Sequence, residues 1–266
     1  MNKHVVPVLV QGARMPTPHE LPEDLIPLAR RQAVSLSHKG FAYDVEKLAA
    51  QLRQLIQPAP RQRSTPEVLS AKAEALKQLR LELLNFKDSP LYAHRVAMGY
   101  LPALGDGNPD AQIIFIGEAP GKTEVEQGLT FIGASGEVLD EMLRSINLDR
   151  RDVFLTNVLH DRPPDNRDPL PAELAAYQPF MDRLLEIIQP SVIATLGRFA
   201  MSYILRKYDL PEKRESISKL HGKLLRAHAP YGEIYILPLY HPAFVLYNAT
   251  QKSVLLKDFQ KLKLFV

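Results

Sequence analysis

An α/β fold, with a mainly parallel sheet and helices on both of its faces, is predicted by three features of this chain. Apolar runs of strand length recur at residues 112–117, 153–158 and 191–196. Stretches of helical length and period follow them at 136–147, 171–188 and 198–207. Each apolar run gives way to a loop of glycine, proline or polar side chains, and in open sheets of this kind ligands bind beyond the carboxyl ends of the strands.

Taken in order, residues 1–65 read as an appended arm and linker, and residues 66–266 as the principal domain. The arm is interrupted by Pro7, Pro16, Pro18, Pro22, Pro27, Pro58 and Pro60, and its one good helical pattern runs over 45–56, where Leu48, Leu52 and Leu55 share a face. Arg30, Arg31, Arg53, Arg61 and Arg63 make it basic, which a solvated surface explains as readily as phosphate contact does. Thr65 is placed to cap a helix running to about residue 85, with Pro66 in its first turn and Leu69, Ala73, Leu76, Leu79 and Leu83 as its apolar stripe. Pro90 keeps that helix from continuing, and residues 105–109 turn the chain into the first strand. After the alternating core come strand-like stretches at 223–228 and 233–237 and a closing helix over 252–263.

Composition narrows the function classes. Of 266 residues 45% are hydrophobic, yet no apolar run approaches a membrane span, and Pro7 interrupts the short apolar patch at the start, which reads against export and for a cytoplasmic protein. With no cysteine there is no disulfide framework, thiolate zinc site or cysteine-held iron–sulfur cluster. A net charge of +3 is compatible with a nucleic-acid partner without requiring one.

Three loops carry the chemistry. The first, 117–136, holds Glu118, Glu124, Glu126 and Phe131 between glycines that permit close approach to a flat or anionic ligand, and Ser135 is placed to cap the next helix. It is neither a phosphate loop nor a dinucleotide fingerprint, since the required spacing and lysine are missing. An aromatic such as Phe131 is more often a packing residue than a stacking platform, and its place inside a glycine-bracketed loop narrows that difference. The second loop opens at Asn157, whose amide offers a donor and an acceptor side by side, a pattern that reads an imide edge such as that of uracil; a strand-end Asn that satisfies a turn is the alternative. The third places His241 at the end of an apolar strand before a proline-stiffened turn. The chain offers no nucleophile elbow and no metal-ligand spacing of histidines.

The stretch 117–136, the Thr156-Asn157-Val158 segment with Arg162-Pro163-Pro164-Asp165-Asn166-Arg167, the turn at 195–198 and Tyr240-His241-Pro242-Ala243 together resemble the uracil-DNA glycosylase superfamily, most closely its family 4, over residues 80–263. The resemblance implies a three-layer α/β/α sandwich around a four-stranded sheet. It implies catalytic roles for Glu118, Glu124 and His241, a base pocket of Gly117, Ala119, Phe131 and Asn157, and DNA contact by Arg162, Arg167 and the run Phe244, Val245, Leu246, Tyr247 and Asn248, where the superfamily inserts an apolar wedge. The implied partner is uracil-containing DNA, single- or double-stranded, met by a monomer with no membrane association, no metal and no cofactor.

Departures from the family are as informative. Family 4 carries four cysteines that hold a [4Fe–4S] cluster, and the aligned positions here are Phe86, Ser89, Asp161 and Tyr177. Phe86 and Tyr177 are expected to fill the cluster's volume, and Asp161 to find a basic or hydrogen-bonding partner, because an unpaired buried carboxylate is costly. Thr130 stands where the family has Pro, Ser135 where Ala is common, and Tyr247 where an Arg is often found. The activity implied is hydrolysis of the deoxyuridine N-glycosidic bond in base excision repair. The alternatives are a silent nucleic-acid-binding module of a repair or replication assembly, or a glycosylase for another deaminated base such as hypoxanthine.

Overall fold

The computed structural model describes residues 7–10, 12–21, 25, 27, 33–37, 41–56 and 64–266. The chain forms two compact units, Met1–Pro60 and Arg61–Val266, a division falling just ahead of the break expected after residue 65. Of the basic arm residues, Arg30, Arg31, Arg61, Arg63 and the side chain of Arg53 lie outside the described residues, as does most of the 57–66 linker.

In the first unit β1 (Val8–Val10) pairs in parallel with β2 (Val34–Leu36), a pairing not expected from sequence because each strand is only three residues long. Helix α1 (Phe41–Ile56) begins earlier than its leucine pattern suggests. The Asp44 carboxylate in its first turn accepts from the Ser37 amide and hydroxyl, which ties the preceding segment to the helix.

The second unit opens with α2 (Pro66–Leu84), where the Thr65 hydroxyl accepts from the Val68 amide at 3.4 Å and Pro66 takes the first turn. Its buried face is Lys72, Leu76, Leu79 and Leu83, whereas Leu69 and Ala73 face outward. The Lys72 ammonium is tolerated inside because it donates to Asp110 at 2.8 Å and to the Ile188 carbonyl at 3.1 Å. Next in order are α3 (Tyr92–Met98), β3 (Asp106–Gly107), β4 (Ile113–Gly117), α4 (Lys122–Gln127), α5 (Ala134–Arg144), β5 (Phe154–Asn157), α6 (Pro171–Ile188), β6 (Val192–Leu196), α7 (Arg198–Lys207), α8 (Ile217–Leu220), β7 (Leu225–Ala229), β8 (Gly232–Leu239), α9 (Ala243–Tyr247) and α10 (Lys252–Phe259). The closing helix ends four residues short of the expected 263, because the chain tightens into a 3₁₀ stretch, Gln260–Phe265.

The sheet has six strands in the order β3-β5-β4-β6-β8-β7. Its centre, β5-β4-β6-β8, is the four-stranded parallel sheet expected, and antiparallel β3 and β7 add an edge on each side. Alternate residues of β4 serve opposite cores. Ile114 and Ile116 pack with Leu79, Leu83 and Leu184, while Ile113 and Phe115 pack with Leu139, Met142 and Phe259. Burial on both faces is why these strands read as unbroken apolar runs, and it makes the unit a three-layer α/β/α sandwich. Among the described residues no helix is long and apolar enough to cross a membrane.

Candidate active site

The carboxyl ends of the parallel strands converge on one edge of the sheet. Gly117 of β4 pairs with Asn157 of β5, and Leu196 of β6 with Leu239 of β8, so the loops after these strands meet there. They enclose a cavity of about 480 Å³ whose lining includes Glu118, Phe131, Asn157, Arg162, His241 and Tyr247. Gly117, Ala119 and Glu124 also stand at this edge.

Gly117 is required by close approach. A Cβ there would lie 2.4 Å from Asn157 Oδ1 and 2.6 Å from Phe131 Cζ, so Asn157 and Phe131 close over a spot only a glycine leaves free. The Asn157 carboxamide is buried yet makes no side-chain hydrogen bond among the described residues, and it faces the cavity. Its donor and acceptor are thus turned toward the cavity and are not spent on a turn.

Phe131 holds a left-handed backbone, φ 51°, uncommon for a bulky residue. Three anchors impose it. The Thr130 amide and hydroxyl donate to Asp106 at 2.9 and 2.6 Å. Arg150 donates to the carbonyls of Thr130 and Phe131 while its Nε donates to Asp140. Glu124 Oε1 accepts from the amides of Ile132 and Gly133 at 3.1 and 3.0 Å. Gly136 completes the fit, because a Cβ there would lie 1.7 Å from the Phe131 carbonyl oxygen. Ser135, expected as the cap of α5, instead sits inside its first turn; Gly133 is the cap residue, and the buried Glu124 carboxylate accepts from that residue's own amide.

His241 Nδ1 accepts from the Ala243 amide at 3.2 Å, which puts the ring proton on Nε2. Burial lowers its pKa to about 4, so the ring is neutral at physiological pH and Nε2–H is a donor. Its ring stands 6.1 Å from that of Phe131. Glu118 behaves in the opposite way: burial first, then the charge of Asp168, raise its pKa, and Arg198 partly offsets them. Asp168 and Arg198 pair with each other at 2.5 Å. The cavity therefore presents a neutral donor, an amide, an aromatic face and a carboxylate whose pKa is raised by burial.

The expected DNA contacts divide. Arg162 lines the cavity and, among the described residues, donates only to Asn166. Arg167 is engaged with the buried Glu173 carboxylate, so its charge is already matched. On α9, Leu246 and Tyr247 are 50% and 90% exposed, Phe244 lies against Tyr240, and Asn248 is exposed. Val245 is a correction: it is 9% exposed and packs into the core with Phe131, because the short helix turns that face inward.

Phe86, Ser89, Asp161 and Tyr177 come together beneath the loop after β5. The Tyr177 hydroxyl lies 2.5 Å from both Ser89 Oγ and Asp161 Oδ2, Arg95 reaches both Asp161 oxygens at 3.3 and 3.2 Å, and the Phe86 ring meets Tyr177 at 5.9 Å. This space is filled by a tyrosine with no exposed surface and offers no thiolate, so these residues do not fit an iron–sulfur cluster. Among the described residues no group of three or more His, Asp or Glu side chains is arranged to hold a metal ion either. Arg95, Asp106, Arg150 and the Asp168–Arg198 pair give no signal in the sequence. Their partners lie many positions away, and although Arg198 falls in the 195–198 turn, nothing local announces its pairing with Asp168.

Comparison with known proteins agrees with this geometry. The family model described as the uracil DNA glycosylase superfamily matches residues 104–263. A type-4 uracil-DNA glycosylase of Sulfurisphaera tokodaii is 40% identical over 191 residues, which cover 71% of this chain and 84% of that protein. One from Archaeoglobus fulgidus is 40% identical over 189 residues, 71% of this chain and 92% of its own length. Another, from Saccharolobus solfataricus, is 44% identical over 160 residues, 60% and 73% of the two chains. With the three-layer sandwich, the strand-end pocket and these matches in agreement, the chain belongs to the uracil-DNA glycosylase superfamily and resembles its type-4 members.

Proposed function

We propose that this protein hydrolyses the N-glycosidic bond of deoxyuridine in DNA, releasing uracil and leaving an abasic site. The observation that carries the reading is the buried, unbonded Asn157 carboxamide set beside a neutral His241 and the Phe131 ring. A base swung out of the helix loses its stacking, and the Phe131 face replaces it while Asn157 pairs with the imide edge. A cavity of about 480 Å³ is ample for one base and its sugar.

As the bond to the sugar stretches, negative charge grows on the departing base and positive charge on the sugar. His241 Nε2–H is the donor available for the base's carbonyl oxygen. Being neutral, it strengthens that hydrogen bond as charge develops without first losing a proton. Glu118 is the carboxylate available to the sugar cation or the attacking water. Glu124, expected to share this work, commits one oxygen to the backbone of the Phe131 loop, which supports a role in holding that loop. Arg162 and the exposed Leu246 and Tyr247 suit contact with phosphate and with the opened base stack. Action as a monomer, in the cytoplasm where the cell's DNA lies if the source is prokaryotic, belongs to the same proposal.

The test is excision from oligonucleotides carrying uracil, hypoxanthine or xanthine, followed by alkaline cleavage at abasic sites. Cleavage at uracil is expected. His241→Ala and Glu118→Ala are each expected to slow single-turnover cleavage by about 10²- to 10³-fold with DNA affinity nearly unchanged, since leaving-group and cation stabilisation act mainly in the transition state. An inactive wild-type protein that still binds DNA would favour the silent module, and normal cleavage by both variants would remove the residue assignment.

A further inference from the structure

The buried group at Phe86, Ser89, Asp161 and Tyr177 does more than fill space. Its hydrogen bonds run in one direction. The Leu91 amide donates to Ser89 Oγ at 3.0 Å, which leaves the Ser89 hydroxyl to donate to Tyr177 and the Tyr177 hydroxyl to donate to Asp161. A file oriented this way polarises each bond in the same sense. Arg95 meets the carboxylate at its end and also donates to the carbonyls of Leu83, Leu84 and Phe86, so one guanidinium both pairs Asp161 and satisfies the end of α2. All four polar members are buried.

What the file holds is decided by the backbone around it. After β5 the chain stays bonded through Val158 to the Gly117 carbonyl, Leu159 to the Glu118 carbonyl, and the His160 carbonyl to Ala103. For Asp161 and Arg162 no backbone hydrogen bond exists among the described residues, and the next one joins Asn166 to Pro163. The Asp161 side chain is thus the last tether before Arg162, which lines the cavity with Arg167 but, unlike it, is not paired with a carboxylate among the described residues.

We propose that Ser89, Tyr177, Asp161 and Arg95 form a metal-free tether that positions segment 158–162, and with it Arg162, at the DNA-binding edge of the pocket. They act through Arg162 and are positioning residues, not catalytic ones. The role rests on the reading of that pocket as a DNA site, whereas the tether itself can be tested without DNA.

The experiment uses the full chain with Tyr177→Phe, which keeps the ring and removes the hydroxyl, and with Ser89→Ala, which cuts the file at its far end and stands in if Tyr177→Phe does not fold. Amide hydrogen exchange is monitored in the free protein. Affinity is measured for a duplex carrying 2′-fluorodeoxyuridine, which resists excision, and single-turnover cleavage is measured on deoxyuridine at saturating protein. Tyr177→Phe is expected to speed exchange at the Leu159 and Ala103 amides by about tenfold, with β4 and β6 amides unchanged. Duplex affinity is expected to weaken by about five- to tenfold, the share of one mispositioned phosphate contact, while the saturated cleavage rate stays within about twofold. Ser89→Ala should move both readouts the same way and less. Wild-type exchange and affinity in the variants, or faster exchange spread evenly across the sheet, would overturn the proposal. A wild-type protein that fails to cleave uracil would overturn the functional reading instead, and the exchange measurement would still decide the tether.

Discussion

Arg150 donates to the main-chain carbonyl of Phe131, and Phe131 stands in the left-handed region with φ 51°. A bulky residue held there costs on the order of 1–3 kcal/mol, and it persists only where neighbours over-determine it. Arg150 reaches the Thr130 and Phe131 carbonyls together while Asp140 orients it, so it fixes the direction from which the ring meets the pocket. Arg150→Met is therefore expected to reduce single-turnover uracil excision by about 10- to 100-fold, the range of an ångström-scale misplacement of a positioning group. Arg150→Lys, which keeps charge but not the planar fork, should recover only part of it. A cleavage rate equal to wild type in Arg150→Met would show that Phe131 needs no such anchor.

The charge pair beside Glu118 predicts how activity responds to acid. Burial and Asp168 raise the Glu118 pKa above its ordinary 4.5, while His241 stays neutral down to about 4. Glu118 therefore meets protons first as pH falls, and the acid limb of the rate profile belongs to it. Asp168→Asn removes a negative neighbour and should move that limb to lower pH; Arg198→Gln removes the positive one and should move it to higher pH. Asp168 and Arg198 are largely exposed, so each displacement should be small and should shrink in high salt. Log rate against pH on single-stranded substrate checks this, and limbs that move together in the two variants would rule it out.

Exposure on α9 narrows the proposed wedge, with Leu246 and Tyr247 the most exposed and Phe244 set against Tyr240. Val245 is packed inward, so opening of the duplex falls to Leu246 and Tyr247, which project from the same short helix. Inserting an apolar or aromatic side chain offsets the unstacking of the extruded base, a cost of a few kcal/mol, roughly, that a single strand does not incur. The double substitution Leu246→Ala with Tyr247→Ala should therefore slow excision from duplex DNA by about tenfold or more while leaving single-stranded substrate close to wild type. Equal losses on both substrates would point to a role in the pocket itself.

Much of this arrangement is legible in the sequence, for a physical reason. A central parallel strand is buried on both faces, so β4, β5 and β6 appear as continuous apolar runs, and the residues that end them, Gly117 and Asn157, stand where such strands present ligand groups. Thr65 and Pro66 likewise announce α2 locally. The features that the sequence hides depend on distant partners. β3 is two residues, Asp106 and Gly107, with no apolar signature, and Lys72 occupies an inward position that only Asp110 explains. Arg95 and Arg150 look like surface charges until the fold brings Asp161 and Phe131 to them. Leu69 and Val245 depart from their expected places because an apolar residue on a helix reports a preference, while the neighbouring element decides which face is covered.

His160 predicts the acid sensitivity of the fold. Its ring is fully buried against Tyr177 and Phe180, neither nitrogen has a well-formed hydrogen bond among the described residues, and burial lowers its pKa to about 4. In the unfolded chain the same group titrates near 6.5. The unfolded state therefore binds the proton first, so the stabilisation is complete above about pH 6.5 and is lost as pH falls toward 4. Between pH 7.5 and 5 this one site accounts for a loss of roughly 2 kcal/mol. His160→Leu removes the titrating group and two unpaired polar atoms while keeping an apolar side chain in the space. It is expected to hold stability at pH 7.5, or raise it by about 1 kcal/mol, and to flatten the fall between pH 7.5 and 5 by roughly 2 kcal/mol in urea unfolding. His241 carries a depression of the same sign, so some acid sensitivity should persist in the variant. A variant whose unfolding midpoint falls with acid as steeply as that of wild type would mean that His160 keeps a partner able to hold its proton in the folded state.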